Sequence, residues 1–296
     1  MNNRDLNLYR IFLTLYEQKS ISKTANKLYV SQPAISYSLK ELESQLGYNL
    51  FYRNSKGIEP TIEAKELYSY ISAAFNMIKN GEEHIMNLNS LDVGEIKIGA
   101  HSHIATFYLM PFIIEFRKKY PNVKFEIISV HTQELVERLE SRKIDIIIGA
   151  LPINITNKSA EKKILTKFKN CFVYKKDSFK DIKLESPEDL VKYPLILPSA
   201  TSSIRVKLDE YMEQRNIKLE PVVESWTTGF MIEMVKNGAG IGYFAENAVE
   251  QQPDKENYEI IDFNDTLPTM DICAVYLGDF VIPVLRRFVE FLEENS

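Results

Sequence analysis

The spacing of the apolar residues changes once along this 296-residue chain, and that change limits the fold more than any other feature. Up to about residue 91 they recur mostly at the three- and four-residue spacing of amphipathic helices. From Gly94 onward, short apolar runs suited to strands alternate with helical stretches. A chain written this way builds a helical head and an α/β body, and its length suffices for both. No apolar run approaches the roughly 20 residues of a membrane-spanning helix. Arg4, Asp5 and Arg10 precede any long apolar stretch, unlike a secretory signal, and two cysteines, Cys171 and Cys273, make no disulfide scaffold. The expectation is a cytoplasmic protein with no membrane partner. Residues 1–65 hold nine Lys/Arg against six Asp/Glu, +3, and the remainder 27 against 35, −8. The net charge of −5 therefore hides a mildly basic head, which suits a polyanion.

Within the head, Leu8, Ile11, Phe12, Leu15 and Tyr16 define a first helix ending near Lys19. Ser22 suits the N-cap of a short second helix running to Tyr29, and Ser31 that of a third beginning Gln32-Pro33-Ala34. In the third helix Ile35, Leu39, Leu42 and Leu46 share one face, and Gly47 ends it. Pro33, Tyr37, Lys40 and Ser44 lie opposite, with Ser36 beside them. Two helices joined by a tight turn, the second with a small polar outer face, suit the DNA major groove; a solvated face of an ordinary bundle has the same spacing. Residues 50–58 then read as a cationic hairpin, a wing whose Arg53 and Lys56 would meet phosphates, and this favours DNA. From Thr61 to about Leu91, a stripe of Leu67, Tyr70, Ile71, Ala74, Phe75, Ile78, Ile85 and Leu88 has nearly coiled-coil spacing, interrupted by Gly81. That seam is longer than three helices can cover and predicts pairing with a second copy, the alternative being packing on the C-terminal domain.

The run Ala25-Asn26-Lys27-Leu28-Tyr29-Val30-Ser31-Gln32-Pro33-Ala34-Ile35-Ser36, followed by Leu39-Lys40-Glu41-Leu42-Glu43, Leu46-Gly47 and Leu50-Phe51-Tyr52-Arg53, resembles the LysR-type transcriptional regulators. The resemblance extends over the whole chain. It implies an α+β winged helix-turn-helix domain, a long dimerising linker helix and an α/β two-lobed effector domain similar to periplasmic binding proteins. The expected segments are 1–60, 61–91 and 92–296, with one lobe at 92–165 plus 269–296 and the other at 166–268. Function follows as sequence-specific promoter binding by a dimer or tetramer on double-stranded DNA, modulated by a small polar or anionic effector, with RNA polymerase as a further partner. The candidate DNA contacts are Ser31, Gln32, Pro33, Ser36, Tyr37, Lys40, Arg53 and Lys56. Tyr37-Ser38 replaces the more polar or basic pair usual in the family, and Pro60 and Ala64 stand where Leu and Gly are commoner.

In the body, strands are expected at 96–100, 124–130, 145–149, 171–174, 195–197, 222–224, 240–244 and 271–276. Helices fit at about 104–119, 133–141, 203–215, 229–237 and 283–294, an alternation that predicts mainly parallel sheets. Ligands of such sheets sit beyond the strands' carboxyl ends. His101, Ser102, His103, His131, Thr132, Ser202, Ser203 and Thr228 follow four of those ends and are the candidate effector-binding residues. Ser and Thr there also serve as plain N-caps. Ser102, Thr132, Ser202 and Thr228 match family pocket positions, whereas His101, His103 and His131 depart from the usual Ser, Thr and Asn. Three imidazoles near one mouth can hold a metal, sense pH or simply donate hydrogen bonds, and the last is favoured. Arg205 would balance an anion or form an ion pair. Gly238-Ala239-Gly240-Ile241-Gly242 precedes its strand, the wrong order for a dinucleotide loop. Without a nucleophile–base pair or zinc-spaced Cys/His set, no catalytic residue, metal or cofactor is expected. The alternative reading, a solute-binding protein without DNA function, lacks the signal peptide it would need, and an enzyme on the same lobes would have to show turnover.

Overall fold

The computed structural model describes residues 5–54, 57–86, 93–179, 182–263, 267–279 and 281–296, and of residues 53, 54, 57, 80, 83, 84 and 86 the backbone alone. The chain divides into two compact units, residues 1–86 with 140–143, and 87–139 with 144–296.

The first unit is built from α1 (Leu6–Gln18), α2 (Ile21–Leu28), α3 (Gln32–Leu46), a hairpin of β1 (Phe51–Asn54) and β2 (Gly57–Pro60), and α4 (Ile62–Met86). Phe12, Leu15, Ile35 and Leu42 are fully buried, as their helical spacing requires. Ser31 caps α3 by accepting from the Ala34 N–H at 3.3 Å, and Gly47 ends it at φ +80°. The cap of α2 is Ser20, not Ser22: Ser20 Oγ accepts from the Lys23 N–H at 3.4 Å, which starts the helix two residues earlier than its sequence suggested. α4 runs unbroken through Gly81. Its seam is shared. Leu67, Ile71 and Phe75 pack on the helical core, contrary to the expectation that the whole stripe needs an outside partner, while Tyr70, Ala74, Ile78 and Ile85 stay exposed. Leu88 lies outside the described residues.

The second unit opens with β3 (Gly94–Ala100), α5 (Ser102–Ile104), a π-helical stretch Ala105–Leu109 and α6 (Met110–Lys119). β4 (Val123–Ile128), α7 (Thr132–Glu140), β5 (Ile146–Ala150), β6 (Ala160–Phe168) and β7 (Asn170–Lys175) follow. Next come β8 (Leu195–Pro198), α8 (Ser203–Glu213), β9 (Pro221–Ser225), α9 (Thr228–Lys236), β10 (Ile241–Ala245) and α10 (Glu246–Glu250). β11 (Tyr258–Ile261), β12 (Met270–Leu277) and α11 (Pro283–Asn295) complete it. Among the described residues these strands form two five-stranded sheets, β4-β3-β5-β12-β6 and β11-β7-β10-β8-β9. Each lobe contains the same parallel core, its first strand central with the second and third on either side: β4-β3-β5 and β9-β8-β10.

The sheets are mixed rather than mainly parallel. β12 returns antiparallel between β5 and β6, and β7 and β11 join the other sheet antiparallel. β6 and β11 have no counterpart among the expected strands; β6, Ala160–Phe168, carries four lysine or glutamate positions on a half-exposed edge and lacks an apolar run. Because β6 extends to Phe168, residues 166–168 belong to the first sheet and the chain crosses between lobes at Lys169, returning between Ile261 and Met270. The glycine-rich turn behaves as a helix exit and strand entry: Gly238 has φ +74°, and a Cβ at Gly240 would stand 2.5 Å from the Pro194 carbonyl oxygen.

Candidate DNA-reading face and effector cleft

In the first unit the α3 leucines anchor the helix from behind, and the candidate contacts lie on its other side. Ser31, Gln32, Pro33, Tyr37 and Lys40 are exposed, Tyr37 at 71%, and Ser36 is half-buried. Arg53 lies in β1, but its side chain and all of Lys56 fall outside the described residues. Tyr29, which ends α2 at φ 55° and is 96% exposed, adds an aromatic ring to the turn before α3 that spacing arguments overlooked. Such a face suits a groove: polar and aromatic side chains reach outward while the backbone is held by buried leucines. The hairpin is tied to α4 through Thr61, whose Oγ1 donates to the Asn49 carbonyl at 3.0 Å and accepts from the Ala64 N–H at 3.2 Å.

In the second unit the carboxyl ends of β3, β4, β8 and β9 converge on one cavity of 530 Å³, a size suited to a small molecule. His101, Ser102, His103, His131, Thr132, Ser202, Ser203 and Thr228 all line it. His101 Nε2 lies 3.0 Å from Thr132 Oγ1, and the His101 and His103 rings stack at 6.1 Å. His131 meets the edge of Trp226 from the other lobe at 4.9 Å. Burial first, and the neighbouring His131 second, hold the His101 imidazole below its ordinary range; burial, then His101, push His103 down to about 4. Both rings are thus neutral hydrogen-bonding groups near pH 7. Among the described residues no group of three His, Cys, Asp or Glu side chains is arranged to hold a metal ion.

The serine and threonine that precede α8 and α9 do not cap those helices with their side chains. Ser202 Oγ donates to the Ser199 carbonyl at 2.7 Å, and the residues preceding α5, α8 and α9 make no side-chain cap. The first-turn N–H groups of α8 and α9, helices whose first residues Ser203 and Thr228 line the cavity, therefore lack a side-chain acceptor from the cap residue. Arg205 does not serve an anion. It is buried, with Nε 2.8 Å from Asp209, Nη1 2.8 Å from Glu224 and 3.2 Å from the Pro198 carbonyl. No Lys, Arg, Asp or Glu lines the cavity among the described residues. Sequence spacing missed Phe107, Asn170, Tyr243 and Asn247, which line it from within a helix or apolar strands. Only a polar residue inside an apolar run, such as Asn170 before Cys171-Phe172, signals them. Both cysteines are free and buried, their thiols pushed up to about 12 and about 11 mainly by burial, so neither is a thiolate near neutral pH.

Residues 89–296 match the LysR substrate binding domain, and residues 6–65 match the bacterial regulatory helix-turn-helix proteins of the lysR family. The chain belongs to the LysR family of transcriptional regulators. An uncharacterized HTH-type transcriptional regulator of Bacillus subtilis (strain 168), YraN, is 27% identical to this LysR-type chain over 299 residues, covering 99% of it and 98% of the relative. A full-length OxyR variant from Pseudomonas aeruginosa has the same fold, with TM-score 0.71, 21% identity and coverage of 99% and 95%. So has full-length CbnR complexed with its target DNA, with TM-score 0.71, 17% identity and coverage of 99% and 100%. The LysR-type chain is accordingly a transcriptional regulator with a helix-turn-helix and an effector-binding domain, and its family is regulatory rather than enzymatic. Among the described residues no helix is long and apolar enough to cross a membrane.

Proposed function

We infer that this regulator reads promoter DNA in the cytoplasm as a dimer or tetramer, with the outer face of α3 in the major groove and the hairpin on the backbone. The observation that carries this is the orientation of α3: Ile35, Leu39 and Leu42 are buried while Gln32, Pro33, Tyr37 and Lys40 stand exposed on the opposite side. Ser31 and Ser36 flank that face, and Arg53 and Lys56 of the hairpin supply phosphate contacts. The exposed seam of α4, Tyr70, Ala74, Ile78 and Ile85, pairs two copies and sets two reading heads on a two-fold site. The 530 Å³ cavity takes a small polar effector, whose single anionic head would rest on helix N-terminal N–H groups, hydroxyls and imidazoles rather than on a lysine or arginine. RNA polymerase is the partner through which the bound dimer acts.

Footprinting on the DNA flanking the protein's own gene, with and without a panel of small acids, tests the reading. Protection of a two-fold repeat is expected. Arg53→Ala should weaken binding to all sequences and flatten its salt dependence, whereas Gln32→Ala should cost roughly 1–3 kcal/mol on the cognate site and relax discrimination. Parent-like binding by both variants would remove the assignment.

A further inference from the structure

The cavity is not uniformly furnished. Its histidines and hydroxyls are partly exposed, whereas its most buried polar lining consists of Asn170 and Tyr243, 7% and 0% exposed. These two are neighbours on one face of a sheet, because β7 and β10 pair antiparallel with Asn170 opposite Ala245 and Phe172 opposite Tyr243. Asn170 Oδ1 and the Tyr243 hydroxyl are buried without a hydrogen-bond partner among the described residues, and so is Asn247 Oδ1, also in the lining. The amide nitrogens are already used. Asn170 Nδ2 donates to the Pro268 carbonyl at 2.6 Å, fastening one interlobe crossover to the other, and Asn247 Nδ2 donates to the Phe107 carbonyl at 3.1 Å. What remains is an acceptor beside a hydroxyl, both desolvated. Leaving such atoms unpaired is costly, so a protein that keeps them is prepared to satisfy them from outside.

We propose that this buried end is a subsite for an uncharged hydroxyl or amide of the effector, which donates to Asn170 Oδ1 and accepts from Tyr243. The proposal rests on the cavity being the effector site and narrows the ligand class to a two-ended molecule. A polar or singly anionic head sits among the helix N-termini, an apolar body lies against Phe168, Phe244 and Met270, and a neutral hydrogen-bonding group forms the far end. A second charge is excluded there, because among the described residues the lining offers no Lys, Arg, Asp or Glu to pair with it. Burial first, and the neighbouring Cys171 second, raise the Tyr243 phenol well above its ordinary range, against a smaller opposing pull from the adjacent Asn170 side chain, and keep that end neutral. A site built to hydrogen-bond a hydroxyl rejects the analogue lacking it strongly, because its own groups are then left unpaired.

The test is calorimetry and thermal shift on the full chain with matched probes: 4-hydroxyphenylacetate, phenylacetate and 1,4-phenylenediacetate, and 8-hydroxyoctanoate with octanoate. In at least one pair the hydroxylated member should bind at least tenfold tighter than its parent acid, and the diacid should bind no tighter than phenylacetate. Tyr243→Phe should bring the hydroxylated member to within twofold of its parent acid and leave the unliganded melting temperature equal or higher. Equal binding within both pairs, or a preference that survives Tyr243→Phe, overturns the subsite but leaves the cavity as an effector site. A lower melting temperature or failure to fold in Tyr243→Phe also overturns it, since the hydroxyl would then have a protein partner. Failure of every probe to bind wild type, with the DNA footprint intact, removes the cavity as a site for such acids and the subsite with it.

Discussion

Thr61→Val tests how the hairpin is joined to α4. Thr61 is buried, and valine has nearly its shape, so the substitution removes a hydroxyl without opening a cavity. Two bonds go with it: the N-cap to the Ala64 N–H, at 3.2 Å, and the donation to the Asn49 carbonyl, at 3.0 Å. Loss of a side-chain N-cap costs about 1 kcal/mol, and leaving a partly buried carbonyl without its donor costs about 1 kcal/mol more. The backbone bond from Thr61 N to the Leu50 carbonyl, 3.0 Å, is retained. The expected sum of about 2 kcal/mol corresponds to roughly 30-fold more frequent local opening. Native-state hydrogen exchange at the amides of Ala64 and Lys65 reads this directly. Thr61→Ser keeps both bonds and loses only a methyl group, so it should exchange more slowly than Thr61→Val. If Thr61→Val exchanged like wild type while Thr61→Ser opened more, packing rather than hydrogen bonding would hold the junction, and the reasoning would be refuted.

Acidification should loosen the effector domain: His101 and His103 are depressed when folded, so the unfolded chain takes up protons near pH 6.5 that the folded His103 refuses until about 4. Stability is therefore present above pH 6.5 and lost as pH falls toward 4, by on the order of 2 kcal/mol at pH 5 for His103. His103→Gln should flatten urea midpoints measured between pH 7.5 and 5, and an unchanged pH profile would contradict this. Arg205→Met leaves Asp209, Glu224 and the Pro198 carbonyl facing each other without the guanidinium, and should cost roughly 2–3 kcal/mol because both carboxylates keep some contact with water. The fluorescence of Trp226, the chain's single tryptophan, follows that unfolding, and a midpoint within error of wild type would show the cluster to be dispensable. Ile78→Glu, on the exposed half of the α4 seam, should convert the proposed dimer to monomer in sedimentation and weaken operator binding, with an unchanged mass as the contrary result.

Local rules read the helical head well, because each of its helices needs only its own spacing and caps to declare a buried face. Ile35, Leu39 and Leu42 went inward as their period demanded, and the signature from Ala25 to Gly47 carried the family. The mouth of the cavity was equally legible, since hydroxyl and imidazole residues cluster after apolar strands and the parallel βαβ arrangement brings those ends together. Tertiary structure decided what depends on neighbours distant in sequence. β12 inserts between β5 and β6 after more than a hundred intervening residues, so the mixed character of the sheets follows from pairing partners rather than from any one strand's composition. Half of the α4 seam was claimed by the head, because Leu67, Ile71 and Phe75 had an apolar surface within reach. Arg205 became an internal ion-pair hub only because Glu224 and Asp209 flank it in space. Asn170 and Tyr243 meet for the same reason: antiparallel pairing sets side by side two polar groups some seventy residues apart, each of which looks incidental in its own apolar strand.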